Sequence, residues 1–456
     1  MKTYLSNWGN FPRIETDMHY FRKEKELQQF IELPHFIARG NGRCYGDSSL
    51  STHTLSTLRY NKAISFDTEK GIFECEAGML LDDVLRIIVP RGWFLPVSPG
   101  TKYITVGGAV ASNIHGKNHH IDGTFCRHVI DMDVFTADGH VYTCSPHQHT
   151  DLFHATCGGM GLTGVILRVK FMLKKIESSY IDQIQVKAKD LSEIFDLFEA
   201  YKHYTYSVAW IDCLKRGKHF GRSILMVGET VRYDQLNTLF KERHLSVHKN
   251  AHIYFPINMP TILLNPISMQ LFNQLFYMKN IRKQIHQITH YDNFFYPLDK
   301  VLHWNRGYGK HGFIQYQFVL PIESSKKGLI DILQRINRYG SGSFLAVLKL
   351  FGKEEGLISF PLEGYTLALD FPIKRGLFTF LDELDRVVLE YGGRIYLTKD
   401  ARMKPEIFWN SYRTAQEWYR IIKKHNPENK FRSLQSDRLG ITSAQYKQAA
   451  WKQYSY

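Results

Sequence analysis

Between residues 72 and 98 the period of the apolar positions changes twice. IFECEAG alternates apolar and polar residues, as a strand with one buried face does. Leu81, Val84, Leu85 and Ile88 then share one helical face, and Asp82 and Asp83 sit where a helix begins. GWFLPVSPGT reads as extended and ends in a Pro-Gly turn. In ITVGGAVASNIHGKNHH small residues dominate from Gly107 to Ser112, so a helix or loop there can lie close to a flat ligand. HVIDMDVFTADGHVYTC predicts two strands turned by Asp138-Gly139, and GGMGLTGVILRVKFML a glycine turn followed by a strand.

The pattern changes near residue 178. Long aromatic strands (YSVAWIDC, GFIQYQFVLP, SFLAVLKLFG, GYTLALDFP) alternate with amphipathic helices over 326–338 and 376–391. This predicts an α+β protein whose second domain is an antiparallel sheet backed by helices. GGRIYLTKDARMKPEIFWNSY and a polar, helical tail close the chain, and no internal repeat is visible. One segment resists the pattern. Residues 254–278, YFPINMPTILLNPISMQLFNQLFYM, are apolar, aromatic and interrupted by three prolines. They read either as a loop and helix packed on the core, or as a lid or membrane-surface patch for a lipid-like substrate.

A chain of 456 residues exceeds one ordinary core, so two domains are expected. The formal charge of +14 points to an anionic partner, a phosphorylated ligand or an acidic lipid surface. The basic residues are scattered and no zinc-finger or RNP pattern occurs, so no nucleic-acid partner is expected. Six cysteines without a C-x-x-C pair read as reduced thiols of a cytosolic protein. The N-terminus has no apolar signal region, and no run approaches a membrane span.

ARGNGRCYGDSSL (38–50) is the densest candidate for chemistry. Glycines at 40, 42 and 46 do not fit the Rossmann spacing, and no P-loop motif occurs. The loop is either a surface turn or a cradle of N–H groups and arginines for an anion. His115, His119 and His120 are candidate metal ligands, since His at i and i+4 share a helical face. However, Gly116 stands where a zincin carries glutamate and no third ligand follows, so no metal is expected.

Together with PGT and GGMGLTGVI, these segments resemble flavoproteins of the vanillyl-alcohol-oxidase (PCMH-type) superfamily. More narrowly, RGNGRCYGDSS, SNIHGKNHH, SVAWID, QYQF, KLFG, LDFPIK, YLTKD and SDRL resemble, in order, the decaprenylphosphoryl-β-D-ribose 2'-oxidase family. The resemblance implies a two-domain α+β flavoprotein. Residues 1–178 would form the FAD domain, 179–393 the substrate domain, and 394–456 a segment returning to the FAD domain. It implies that Ala38, Arg39, Gly40, Asn41, Gly42, Arg43, Cys44, Tyr45, Gly46, Asp47 and Ser48 fold around the FAD pyrophosphate. Gly100, Thr105, Val106, Gly107, Gly108, Ser112, Asn113, Ile114 and His115 would line the dinucleotide. Ile166 would lie near the adenine half and Tyr396 near the flavin. FAD would be held noncovalently, although relatives of the broad fold attach it through residues such as His115 or Cys126.

The same resemblance names Lys399, Tyr45 and His115 as catalytic candidates, with Lys399 as the group that takes the hydroxyl proton. Trp210, Gln315, Gln317, Lys349, Thr366 and Ala368 would meet the substrate. Gln315 and Gln317, two apart on one strand, share a face where amides can bind ribose hydroxyls. The implied activity is oxidation of the 2'-hydroxyl of a polyprenyl-phosphoryl-β-D-ribose. An NAD(P)H-dependent short-chain reductase would complete epimerisation to the arabinose form at the inner face of an anionic membrane. A sugar-1,4-lactone oxidase and a non-enzymatic flavin-bound carrier are the alternatives. One departure stands out. Actinobacterial family members usually carry Asn-x-Cys where this chain has Thr366-Leu367-Ala368, which leaves substrate identity open.

Overall fold

The computed structural model describes residues 2–249, 253–260, 265–340, 343 and 346–443. Two sheets come from the first part of the chain. In a four-stranded sheet, Lys2–Leu5, Ile14–Tyr20, His53–Ser56 and Ile37–Arg39 lie side by side. In a five-stranded antiparallel sheet the order is Ala63–Asp67, Ile72–Glu76, Val165–Met172, Val129–Phe135, Val141–Cys144. The predicted hairpin is present, with Gly139 at a φ of +80° that glycine adopts without steric cost. The predicted helix is Leu81–Ile88, and the four apolar residues of its face are fully buried.

An eight-stranded antiparallel sheet follows. Its order is Gln284–His290, Tyr180–Ala188, Ser223–Thr230, Tyr206–Ile211, Val347–Phe351, Gly364–Pro372, Phe313–Pro321, Arg394–Ile395. Strand period two divides its residues between two faces. Ile314, Tyr316, Phe318, Leu367, Leu369 and Phe371 point to one side and join the apolar faces of the helices Ile322–Tyr339 and Leu377–Glu390. Each fully buried leucine or isoleucine there contributes roughly 1.5–3 kcal/mol. The alternate residues Gln315, Gln317 and Ala368 line a cavity on the opposite face. Of the segment expected to be a lid or core helix, Pro266–Lys279 is a helix. Residues 261–264 lie outside the described residues.

The last strand, Arg394–Ile395, still belongs to the large sheet, so the chain turns back only after Ile395. From there it packs on the N-terminal part. Phe36 and Phe431 form a parallel bridge. Trp418 Nε1 donates to the Ala155 carbonyl at 3.1 Å, and Asn426 Nδ2 to that of Leu162 at 3.1 Å. Arg438 ends the return. It bridges Asp47 (Nε–Oδ2 3.0 Å, Nη2–Oδ1 2.8 Å) and Asp400 (Nη2–Oδ2 2.8 Å), both buried. Removing that cation leaves two buried carboxylates without it. Arg438→Met is therefore expected to cost about 3–5 kcal/mol. A lowered denaturant midpoint checks this, and an unchanged midpoint contradicts it.

Candidate active site

A cavity of about 330 Å³ opens between the glycine-rich loops of the first part and the polar face of the large sheet. The 38–50 loop forms one wall and is irregular after Arg39, with no helix starting in it. Its residues divide into two groups. Ala38, Gly40, Asn41, Gly42, Arg43, Cys44, Tyr45 and Ser48 line the cavity. Arg39, Gly46 and Asp47 do not, because each holds the loop to the rest of the protein. The Arg39 guanidinium bonds Asn7 and donates to the Ser6 carbonyl at 3.0 Å. A Cβ on Gly46 would sit 1.7 Å from the Asp400 carbonyl oxygen, so only glycine admits that backbone. Tyr45 N–H donates to the Thr398 carbonyl at 3.0 Å, and Asp47 is fixed by Arg438. Two motifs far apart in sequence, YGD and TKD, are thereby locked together.

The opposite wall holds Gly100, Thr105, Gly107, Gly108, Ser112, Ile114 and His115, with Ile166 and Tyr396. A Cβ on Gly100 would meet no atom within 4 Å and would project into the space a flat ligand needs. Gly42 has φ +61°, and a Cβ there would strike the Arg39 guanidinium at 2.1 Å. Val106 and Asn113 turn away from the cavity. Val106 is core, and Asn113 accepts from Cys126 N–H at 3.1 Å. Arg43 lies 3.9 Å from the Trp8 ring centroid and brings a cation to the wall, facing Asp299. The small-residue walls, positive-φ glycine and lining arginine suit an extended dinucleotide.

Titratable and polar groups converge here from the sheet face (Gln315, Gln317, Lys349, Asp370), the turn after Ile395 (Lys399) and the two loops (Tyr45, His115). Lys399 Nζ lies 3.8 Å from the centroid of the Tyr45 ring. Burial, opposed by the Asp370 carboxylate and aided by Lys349, lowers this lysine to about 7. Burial alone lowers Lys349 to about 8. Asp370 is itself raised to about 6 by burial, although Gln315 Nε2 donates to Oδ1 at 2.7 Å and the Tyr308 hydroxyl to Oδ2 at 3.0 Å. Burial and Asp370 push the Tyr45 phenol upward, so it stays protonated. His115 lies between Lys349 Nζ (Nδ1, 3.2 Å) and Gln317 Nε2 (Nε2, 3.3 Å). Burial and the Lys349 cation hold it well below the ordinary histidine range, so the ring is neutral. An amine close to its own pKa, beside a buried carboxylate, can take a proton from a substrate hydroxyl near neutral pH.

Most of the expected pocket residues therefore meet in one place: Tyr45, His115, Gln315, Gln317, Lys349, Ala368 and Lys399. Two do not reach it. Thr366 is fully buried behind Gln317, accepting from its Nε2 at 3.2 Å and donating to the Phe318 carbonyl at 2.7 Å. Trp210 packs against Phe276, centroids 4.8 Å apart, beside the cavity-lining Val347. The histidines do not share a helical face. The helix is only His119–Asp122, His115 pairs with Thr124 in an isolated bridge, and His119 faces Glu354 at 3.4 Å. His120 reaches the Tyr204 carbonyl instead, at 2.9 Å. No motif singles out Asp370, though alternation along GYTLALDFP places it on the Ala368 face. Trp8, Asp299 and Trp304 also line the cavity, and no local pattern marks them.

Comparison with known proteins agrees with this geometry. Residues 20–145 match the FAD binding domain family. The chain is 38% identical over 413 residues to decaprenylphosphoryl-β-D-ribose oxidase of Mycolicibacterium smegmatis, covering 89% of each chain. It is 30% identical to an uncharacterised protein of Streptomyces coelicolor, covering 79% of this chain and all of the relative. A shorter match, 31% over 154 residues, links it to cytokinin dehydrogenase 9 of Oryza sativa subsp. japonica and covers 30% and 27% of the two chains. This chain belongs to the decaprenylphosphoryl-β-D-ribose oxidase family and is an FAD-dependent oxidoreductase.

Proposed function

We propose that this protein oxidises the 2'-hydroxyl of a polyprenyl-phosphoryl-β-D-ribose to the 2-keto sugar, and that a separate NAD(P)H-dependent short-chain reductase then gives the arabinose epimer. The observation that carries the mechanism is Lys399, buried in the cavity against the Tyr45 ring with a pKa of about 7. Bound FAD supplies the two-electron acceptor, which no side chain can be. Lys399 in its neutral form takes the hydroxyl proton. Asp370 stabilises the resulting ammonium and orients Gln315 through a 2.7 Å hydrogen bond. Gln315 and Gln317 present amides to the sugar, and the buried Lys349 meets an anionic or polar group of the substrate. Arg39, Gly46 and Asp47 act on cofactor binding by holding the loop in shape, and Trp210 and Thr366 act on the pocket by supporting Phe276 and Gln317. The three-part division of the chain, with its return segment, is part of the same reading.

Substrate class is decided by anaerobic bleaching of the flavin with prenyl-phosphoryl pentoses and free aldonolactones. Bleaching by the prenyl-phosphoryl ribose alone is expected. Bleaching by lactones alone assigns the protein to the sugar-lactone oxidases.

Four further outcomes are expected. Lys399→Met retains FAD and loses roughly 10²–10⁴-fold in turnover. In the wild type, kcat/KM rises with pH as Lys399 deprotonates near 7. The Asp370 carboxylate raises that value, so Asp370→Asn shifts the acidic limb to lower pH, and an unmoved limb would separate Asp370 from Lys399. FAD is held noncovalently, a reading supported by His115 being engaged at both ring nitrogens and by Cys126 Sγ facing the Val110 carbonyl at 3.6 Å. Acid precipitation is therefore expected to leave the flavin in the supernatant, whereas colour in the pellet means a covalent link. Electrophilic ligands of the cavity form no bond at position 368 in the wild type, because the Ala368 methyl group cannot be attacked. Any wild-type adduct maps to another thiol, such as the cavity-lining Cys44. Ala368→Cys permits an adduct, read by intact mass, without abolishing oxidation.

A further inference from the structure

The helix Pro266–Lys279 carries its apolar residues on both sides. Inward, Met269 and Asn273 are buried, Phe276 packs on Trp210, and Asn273 Nδ2 donates to Asp212 Oδ1 at 3.0 Å. Outward, Ile267, Leu271, Leu275 and Met278 recur at i, i+4, i+8 and i+11, and are 79%, 59%, 60% and 56% exposed. Phe272 borders this stripe, and Ile281 beyond the helix is almost wholly exposed. A surface helix ordinarily turns polar residues to water on that side. A contiguous apolar stripe so placed marks a contact surface.

The charge around it selects the kind of surface. From Arg243 to Tyr291 the sequence holds no Asp or Glu and five cationic residues, Arg243, Lys249, Lys279, Arg282 and Lys283. Lys279 and Arg282 are exposed at the C-terminal end of the helix, while Lys283 pairs with Glu193 at 3.2 Å. Two copies of such a face would repel one another. An anionic lipid headgroup layer complements it, with the stripe entering the acyl boundary and the cations meeting headgroup phosphates. The inner side of the helix ties this surface to the site. Phe276 packs on Trp210, which pairs across the sheet with the cavity-lining Val347. Among the described residues no helix is long and apolar enough to cross a membrane, so attachment of this kind is peripheral.

We infer that the outward face of the helix Pro266–Lys279 docks this protein on anionic membrane surfaces, beside the substrate cavity. The inference deepens the polyprenyl-phosphate reading and rests on it for its purpose. Vesicle binding is measured without any sugar substrate, so the failure of one is distinguishable from the failure of the other.

The test is co-sedimentation of the FAD-loaded full chain with phosphatidylcholine vesicles, with and without phosphatidylglycerol. Binding is expected with the anionic lipid and is expected to weaken as salt is raised. Leu271→Glu combined with Leu275→Glu should lower partitioning by at least about tenfold, since both side chains would have to leave water as charges. Lys279→Gln and Arg282→Gln should each lower it by roughly fivefold. Flavin content should remain at the wild-type level in all of these variants. Failure of the wild type to bind phosphatidylglycerol vesicles, or undiminished binding by the Leu271/Leu275 variant, overturns the proposal. So does a wild-type dimer in light scattering that becomes monomeric in that variant, because it assigns the face to a second copy.

Discussion

The close approach of Gly46 to the Asp400 backbone, secured by Arg438 between Asp47 and Asp400, is the constraint on which the site depends. It joins the glycine-rich loop of the first part to the turn that follows the last strand of the large sheet. Tyr45 and Lys399 are the immediate neighbours of these fixed residues, and their side chains meet as a direct result. A buried ion cluster is weak evidence for net stability, since desolvation offsets much of its attraction. Here its value is positional. Two carboxylates that both need one guanidinium allow a single register between the two segments.

The cavity's electrostatics follow from the same packing. Burying Lys399, Lys349 and Asp370 together leaves one carboxylate for two amines, and each amine becomes easier to deprotonate than in water. Asp370 is oriented by Gln315 and Tyr308 rather than by a direct ion pair. Its charge therefore favours the ammonium form of Lys399 without closing a salt bridge to it. His115 is kept neutral between a lysine and an amide, so it adds no third charge to the cavity. The cavity thus offers neutral donors and acceptors from Gln315, Gln317 and His115 together with an amine of adjustable charge.

The large sheet places two kinds of surface back to back. Its helix-covered face is a conventional apolar core, which frees the other face to be polar. Next to that polar face, the helix Pro266–Lys279 holds an apolar stripe outward in a segment free of acidic residues. A polar-lined cavity and an apolar surface stripe are thus neighbours on one scaffold. That is the arrangement an amphiphilic substrate requires.

Sequence alone determined what depends on local period and on short motifs. Alternation along QYQF put Gln315 and Gln317 on one side of their strand, and alternation along GYTLALDFP put Ala368 and Asp370 on one side of theirs. The register Gln317–Ala368 and Gln315–Asp370, which brings the two pairs to one face, is tertiary. The helix at 81–88 and the hairpin at Asp138-Gly139 were legible for the same reason, and the small-residue run allowed a flat ligand, which only the family resemblance made FAD. Tertiary structure decided which members of a motif touch the cavity and which brace it. Arg39, Gly46 and Asp47 differ from Arg43, Tyr45 and Ser48 only through partners supplied by residues 6–7, 400 and 438. Trp8 and Trp304 became wall residues, and Trp210 a support for Phe276, through contacts between distant parts of the chain. The lowered pKa of Lys399 likewise depends on burial and on Asp370, since an isolated YLTKD is compatible with a solvated lysine. Local geometry is encoded residue by residue, whereas desolvation and close approach exist only once the two ends of the chain have met.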